Sequence, residues 1–155
     1  MSVQKLYYNW ANLDSDLRAI CRDMATAGYK PDVVIGPGRG GYIPGVMLSH
    51  YFDVPFEGFA WQTRDGEKIE DSESLTKILS KYSNNENILC IDDINDTGKT
   101  LMGIDSLARQ YESNIRYATL MDKLISDFGG VSFTAREIPS DDESWIVFPY
   151  EEWWK

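Results

Sequence analysis

A chain of 155 residues with 43% hydrophobic and 13% aromatic side chains is long and apolar enough to bury a core rather than stay disordered. Its formal net charge of −10 argues against a general nucleic-acid or membrane-surface binder, which needs a basic face. No run approaches the ~20 apolar residues of a membrane helix, and MSVQKLYYNW lacks the basic start and apolar stretch of a signal peptide, so a soluble, cytoplasmic protein is expected. The two cysteines, Cys21 and Cys90, sit in apolar contexts outside any CxxC pair and read as buried thiols of a reducing compartment.

Leu6-Tyr7-Tyr8-Asn9-Trp10 predicts a short strand. Asp14 to Ala27 carries Leu17, Ile20, Cys21 and Met24 at helical spacing, with Gly28 placed to end the helix. Asp32 to Ile35 predicts a buried strand and leads into a glycine-rich turn. Tyr42 to Phe52 predicts a helix with Pro44 in its first turn, where proline is tolerated. His50, the single histidine, falls late in that helix beside Tyr51 and Phe52 and is assigned a structural role. Phe56 to Trp61 predicts a third strand.

Gln62 to Glu73 is polar, with Gly66 and seven charged residues, and predicts a mobile loop. Leu75 to Tyr82 predicts a helix, Ile88 to Ile91 a strand, Thr100 to Gln110 a helix and Ile115 to Met121 a strand. Alternating strands and helices imply an α/β domain, 1–155, whose mostly parallel sheet is flanked by helices on both faces. Ligands of such sheets bind beyond the carboxyl ends of the strands. The tail, Val131 to Lys155, is short-stranded and aromatic and is expected to form a small hood with the N-terminal strand. Its last residues, Tyr150 to Lys155, are expected to pack at an interface or to close the core.

Two glycine motifs carry chemistry. Gly98-Lys99-Thr100 looks like the end of a P-loop, but that pattern requires glycine where Asp93 stands. Gly36-Pro37-Gly38-Arg39-Gly40-Gly41 fits the dinucleotide-binding G-x-G-x-x-G pattern. A dinucleotide site also wants an acid at the end of the next strand, where Trp61-Gln62-Thr63 stands. Arg39 inside the turn suits a highly charged anion instead.

The stretch ILCIDDINDTGKT is more specific. A strand, two acids, two further residues, then D-T-G-x-T opening a helix resembles the signature of the type I phosphoribosyltransferases, and the resemblance runs along most of the chain. It implies a ligand, phosphoribosyl pyrophosphate, that needs acids and a phosphate nest together. Asp92 and Asp93 would hold the ribose hydroxyls directly or through Mg²⁺, and would be the metal residues. Asp96, Thr97, Gly98, Lys99 and Thr100 would surround the 5′-phosphate with backbone N–H groups at a helix start. Asp96 would also be the general acid/base.

Gly38-Arg39-Gly40-Gly41-Tyr42-Ile43-Pro44-Gly45 is similar to the family's pyrophosphate loop, with Arg39 stabilising the leaving group. Glycine stands at 38 where bacterial relatives often carry serine, and the residues do not decide whether the family's non-proline cis peptide forms there.

Tyr117 to Lys123, and Ser144-Trp145-Ile146-Val147-Phe148-Pro149-Tyr150-Glu151, resemble the xanthine-guanine branch of the family. That likeness implies purine salvage on a 6-oxopurine. Lys123 would bond the 6-oxo group, Trp145 stack on the base, and the Ile146 carbonyl accept from a 2-amino group. The polar loop corresponds to the family's lid, from which Arg64 or Lys68 would reach pyrophosphate, although Gln62-Thr63 replaces the usual Ser-Tyr pair. Homo-oligomers are common in the family. Two other readings stay open: a transferase for a different base, and a non-catalytic regulator that binds phosphoribosyl pyrophosphate or a nucleotide. The lack of a basic run and the presence of Asp96 weigh against the regulator.

Overall fold

A computed structural model describes residues 3–63 and 68–155. Arg64 and Gly66 of the polar stretch lie outside the described residues. The elements run β1 (Lys5–Tyr7), α1 (Trp10–Thr26), β2 (Val33–Gly38), α2 (Tyr42–Phe52), β3 (Phe56–Gln62), β4 (Ile69–Glu70), α3 (Ser72–Lys81), β5 (Ile88–Asn95), α4 (Lys99–Gln110), β6 (Ile115–Lys123), β7 (Val131–Ile138) and β8 (Trp145–Val147). A six-stranded sheet has the order β4-β3-β2-β5-β6-β7. It is parallel except for β4, which pairs antiparallel with β3.

Two apolar layers cover the sheet. On one face α1 and α2 bury Leu13, Leu17, Ile20, Met24 and Leu48 against Val34, Leu89, Ile91 and Leu120. On the other, α3 and α4 bury Leu75, Leu79, Leu101 and Ile104 against Val33, Ile35, Ile88 and Cys90. Each fully buried aliphatic side chain contributes about 1.5–3 kcal/mol before entropy is counted. Cys21 and Cys90 are both buried free thiols. Among the described residues no helix is long and apolar enough to cross a membrane.

Several boundaries differ from the sequence reading. The first strand stops at Tyr7, and α1 starts at Trp10 rather than Asp14. Asn9 caps it: its side chain accepts from Asn12 N–H while the Asn12 side chain accepts from Asn9 N–H. That reciprocal box overrides the β propensity of the aromatic run. The polar stretch is partly ordered, since β4 pairs with β3 and Asp71 caps α3 through Ser74 N–H.

The first part of the tail also departs from expectation. β7 is a full strand of the main sheet, parallel to β6. It anchors α1 through Asp16, a buried carboxylate that accepts from Tyr8 Oη at 2.6 Å and from Arg136 Nε at 2.8 Å. The hood itself forms as expected: β1 and β8 pair in parallel as a separate two-stranded sheet. Phe148 packs beneath it against the Tyr8 ring at 5.1 Å.

Candidate active site

The site begins where two neighbouring strands part. β2 and β5 pair only over Val33–Ile35 and Ile88–Cys90. Beyond that, β2 stays with β3 through Gly38↔Ala60, while β5 stays with β6 through Asn95↔Asp122. The chain also reverses its direction of sheet growth between these strands, so the opening lies at the topological switch point where α/β sheets bind ligands. A cavity of about 710 Å³ fills it.

The glycine loop wedges the opening. A Cβ on Gly41 would stand 2.3 Å from the Ile91 carbonyl oxygen, and one on Gly36 2.7 Å from the Gly41 carbonyl oxygen. Only bare backbone fits between the strands. At Gly38 the neighbour is a side chain: the Tyr42 ring lies 2.9 Å from where a Cβ would be, so a serine there would require that ring to shift. The Gly38–Arg39 peptide bond is cis.

Asp92 and Asp93 sit in the second half of β5, each 8% exposed. Asp92 Oδ1 accepts from Asp93 N–H at 2.9 Å, and Asp93 Oδ1 accepts from Ile94 N–H at 2.7 Å. Asp93 Oδ2 accepts from Tyr150 Oη at 3.2 Å. Both carboxylates are oriented by backbone donors and line the cavity.

The Asp96-to-Thr100 turn is held from behind. Gly98, at φ +95°, caps α4 in the left-handed region that glycine tolerates. A Cβ there would meet Phe128 N at 2.6 Å. Buried Asn95 fastens the loop that includes Phe128: its amide donates to Asp122 Oδ1 at 2.8 Å and to the Phe128 carbonyl at 2.9 Å, and its Oδ1 accepts from Ser126 Oγ at 2.9 Å. Asp127 N–H completes the tie to the Thr97 carbonyl at 3.0 Å. The N-terminus of α4 thus presents its first N–H groups to the cavity on a braced turn. Asn95 was not singled out from the sequence, although a polar residue two positions past a buried acid pair on a strand was the available signal.

Lys123 stands behind Asp96. Its Nζ lies 2.7 Å from Asp96 Oδ1, with side-chain exposures of 17% and 27%. The charge of Lys123 is also felt by Asp142, in the loop leading to β8, although the hydrogen bonds from Ser144 are the larger cause of that carboxyl's lowered pKa.

Of the sequence-predicted residues, Gly38, Arg39, Gly40, Asp92, Asp93, Asp96, Thr97, Gly98, Lys99 and Thr100 share the cavity wall, with Gly41 buried just behind. Lys123 joins through Asp96. Trp145 and Ile146 are not part of this wall: they lie on β8, with Trp145 39% exposed and Ile146 buried. Lys68 pairs with Glu70 at 3.0 Å. His50 is exposed in the last turn of α2, away from the wall.

Besides Asn95, the sequence reading misses two further contributors. Thr63 Oγ1 lies 2.8 Å from Thr100 Oγ1, joining the start of the polar stretch to the Asp96-to-Thr100 turn. Tyr150 to Lys155 line the cavity, so this aromatic end builds a wall of the site rather than only closing the core.

Comparison with known proteins agrees with this geometry. The phosphoribosyl transferase domain family matches residues 5–153. A purine phosphoribosyltransferase from Pyrococcus horikoshii Ot3 superposes with a TM-score of 0.70 at 30% identity, over 96% of this chain and 95% of that one. The Helicobacter pylori xanthine-guanine-hypoxanthine phosphoribosyltransferase gives 0.71 at 17% identity, over 97% and 95%. Orotate phosphoribosyltransferase from Aeropyrum pernix gives 0.55 at 17%, over 83% and 70%, so the shared fold does not choose a base. No curated protein sequence matches. A family match running almost end to end, on a fold whose switch point carries the expected loops, places this chain among the type I phosphoribosyltransferases, as an enzyme of that family.

Proposed function

We propose that this phosphoribosyltransferase acts in purine salvage, joining a 6-oxopurine (guanine, xanthine or hypoxanthine) to phosphoribosyl pyrophosphate to give a nucleoside 5′-monophosphate and pyrophosphate. The observation that carries this reading is the Lys123–Asp96 pair at 2.7 Å. An ammonium only donates and a carboxylate only accepts. One edge of a 6-oxopurine offers the matching pair side by side, the 6-oxo acceptor and the N7–H donor. Adenine places a 6-amino donor against Lys123 instead.

β8 supports the same orientation. The Val147 carbonyl accepts from Tyr8 N–H, so the alternation of a strand turns the Ile146 carbonyl away from β1, to an open edge where a 2-amino group would find it. Trp145, two-fifths exposed beside it, is the proposed stacking surface.

The ring nitrogen of the base attacks C1′ as pyrophosphate leaves. Asp96 takes the N7 proton, while Lys123 holds the 6-oxo group. Asp92 and Asp93 bind the ribose hydroxyls. Arg39 and the N–H groups of the glycine loop neutralise charge on the leaving pyrophosphate. Among the described residues no set of three or more His, Cys, Asp or Glu is grouped to hold a metal alone. Two buried, backbone-oriented carboxylates beside an anion loop suit a Mg²⁺ completed by substrate oxygens. Such an ion would neutralise developing phosphate charge. Tyr42, Val46, Met47 and Tyr51 expose an apolar face on α2 that a second copy would cover in a homo-oligomer.

Lys123→Ala tests the reading. It should lose activity on all three 6-oxopurines, because the enzyme's remaining acceptor no longer has its donor neighbour, while phosphoribosyl pyrophosphate binding is largely kept. An unchanged kcat/KM for guanine would remove the purine assignment.

A further inference from the structure

We propose that Tyr150 is a positioning residue for Asp93, its hydroxyl fixing that carboxylate against the pyrophosphate loop so that the ribose and pyrophosphate ends of the substrate are gripped together. This rests on the reading of Asp93 as a ribose and metal acid.

Tyr150 follows β8 on the hood. Its ring is stacked on Phe148, with centroids 5.8 Å apart and 5° between planes, and tilted against Trp10 at 6.4 Å. These contacts explain the ring, and a phenylalanine would make them equally well. They do not explain the hydroxyl. That group reaches Asp93 Oδ2 at 3.2 Å, with the Gly40 carbonyl oxygen at 3.5 Å. Asp93 Oδ1 is already engaged by Ile94 N–H at 2.7 Å. The Gly40 Cα closes the remaining side, so near that a Cβ there would stand 2.5 Å from Asp93 Oδ2.

Three separate chain segments therefore meet at one carboxylate: the end of β5, the loop after β2 and the hood. The acceptor is ionised, and at 3.2 Å the bond is of moderate length rather than a short one. A phenol carries one O–H and an ionised carboxylate only accepts, so Tyr150 Oη is the donor in this contact. With both Asp93 oxygens held, the lone pairs not used by Ile94 and Tyr150 keep a fixed direction.

The test is Tyr150→Phe, Asp93→Asn and the double variant, each assayed for steady-state kinetics, thermal midpoint and calorimetric binding of Mg-phosphoribosyl pyrophosphate. Loss of a hydrogen bond to a charged group corresponds to about a tenfold or larger change. Tyr150→Phe is expected to raise KM and Kd for phosphoribosyl pyrophosphate about tenfold, with kcat and the KM for the base within about twofold of wild type. Adding Tyr150→Phe to Asp93→Asn should change little further, because the two act through one contact. The proposal is overturned if Tyr150→Phe leaves phosphoribosyl pyrophosphate affinity unchanged, if the two effects multiply independently, or if both KM values rise together with a falling thermal midpoint. A wild-type affinity in Asp93→Asn itself would instead remove the reading of Asp93, and this proposal with it.

Discussion

Gly40→Ala places the smallest possible side chain against the acid pair. The added Cβ would stand 2.5 Å from Asp93 Oδ2 and 2.6 Å from both Cγ and Oδ1. Rotating the carboxylate does not relieve contacts to all its heavy atoms, so the Asp93 side chain or the loop must move. Moving the side chain breaks the bond from Ile94 N–H, from Tyr150 Oη, or both. Hydrogen bonds to charged groups are worth about 1.5–3 kcal/mol each, and each 1.4 kcal/mol is about tenfold in affinity. Calorimetric titration of Gly40→Ala with Mg-phosphoribosyl pyrophosphate should therefore show binding weakened by about tenfold or more. Gly129→Ala is the control, since a Cβ there meets nothing within 4 Å. Binding by Gly40→Ala within about twofold of wild type, with Gly129→Ala also unchanged, would refute the argument that the glycine loop and Asp93 are packed as one unit.

Asp96→Asn should lower kcat by about 10²–10⁴-fold, the usual worth of a positioned proton acceptor, in a protein whose thermal midpoint is near wild type. Single-turnover rates check it, and an unchanged chemical step would exclude the acid/base role. Asn95→Ala removes three hydrogen bonds, one to a carboxylate. A cost of about 3 kcal/mol predicts a thermal midpoint lower by about 6–12 °C, with weaker 5′-phosphate binding measured on a nucleoside monophosphate. Desolvation by burial, the largest cause, holds the Asp122 carboxyl above its ordinary value, against the lowering effect of the Asn95 amide. The folded state therefore binds this proton more tightly than the unfolded chain does. Its contribution favours folding at acid pH and is lost as pH rises through the raised pKa. The thermal midpoint of Asp122→Asn, relative to wild type, should rise between about pH 3.5 and pH 7, and a constant difference would contradict the sign.

The parts of the fold legible in the sequence were those with strong periodicity. The core positions of α1, the bounds of α2 and the strand–turn–helix of the acid motif follow from spacing and turn residues alone. The start of α1 was misplaced because Trp10 looks like part of an aromatic strand, while the deciding signal was a pair of asparagines acting as mutual caps. β7 reads as part of the hood because the alternation of Val131, Phe133 and Ala135 is broken by Arg136-Glu137 before buried Ile138, and sheet membership depends on partners distant in sequence. The loops proposed to hold the substrate are readable because phosphate recognition imposes glycine and acid at fixed places. The supports of those loops, Asn95, Thr63 and Tyr150, are not. Each acts through a contact formed only when separate segments meet, as when Tyr150 reaches back 110 positions to Gly40.

In the proposed reaction the Lys123–Asp96 pair selects a 6-oxopurine at a phosphoribosyl pyrophosphate site. The most direct measurement is pyrophosphate release by the wild-type enzyme with Mg²⁺ and phosphoribosyl pyrophosphate, against guanine, xanthine, hypoxanthine, adenine, uracil and orotate in parallel. Release with one or more of the first three, and none with adenine, uracil or orotate, is the predicted result. Turnover of adenine or a pyrimidine at a rate comparable to guanine would contradict the base assignment, and no release with any base would contradict the proposed reaction.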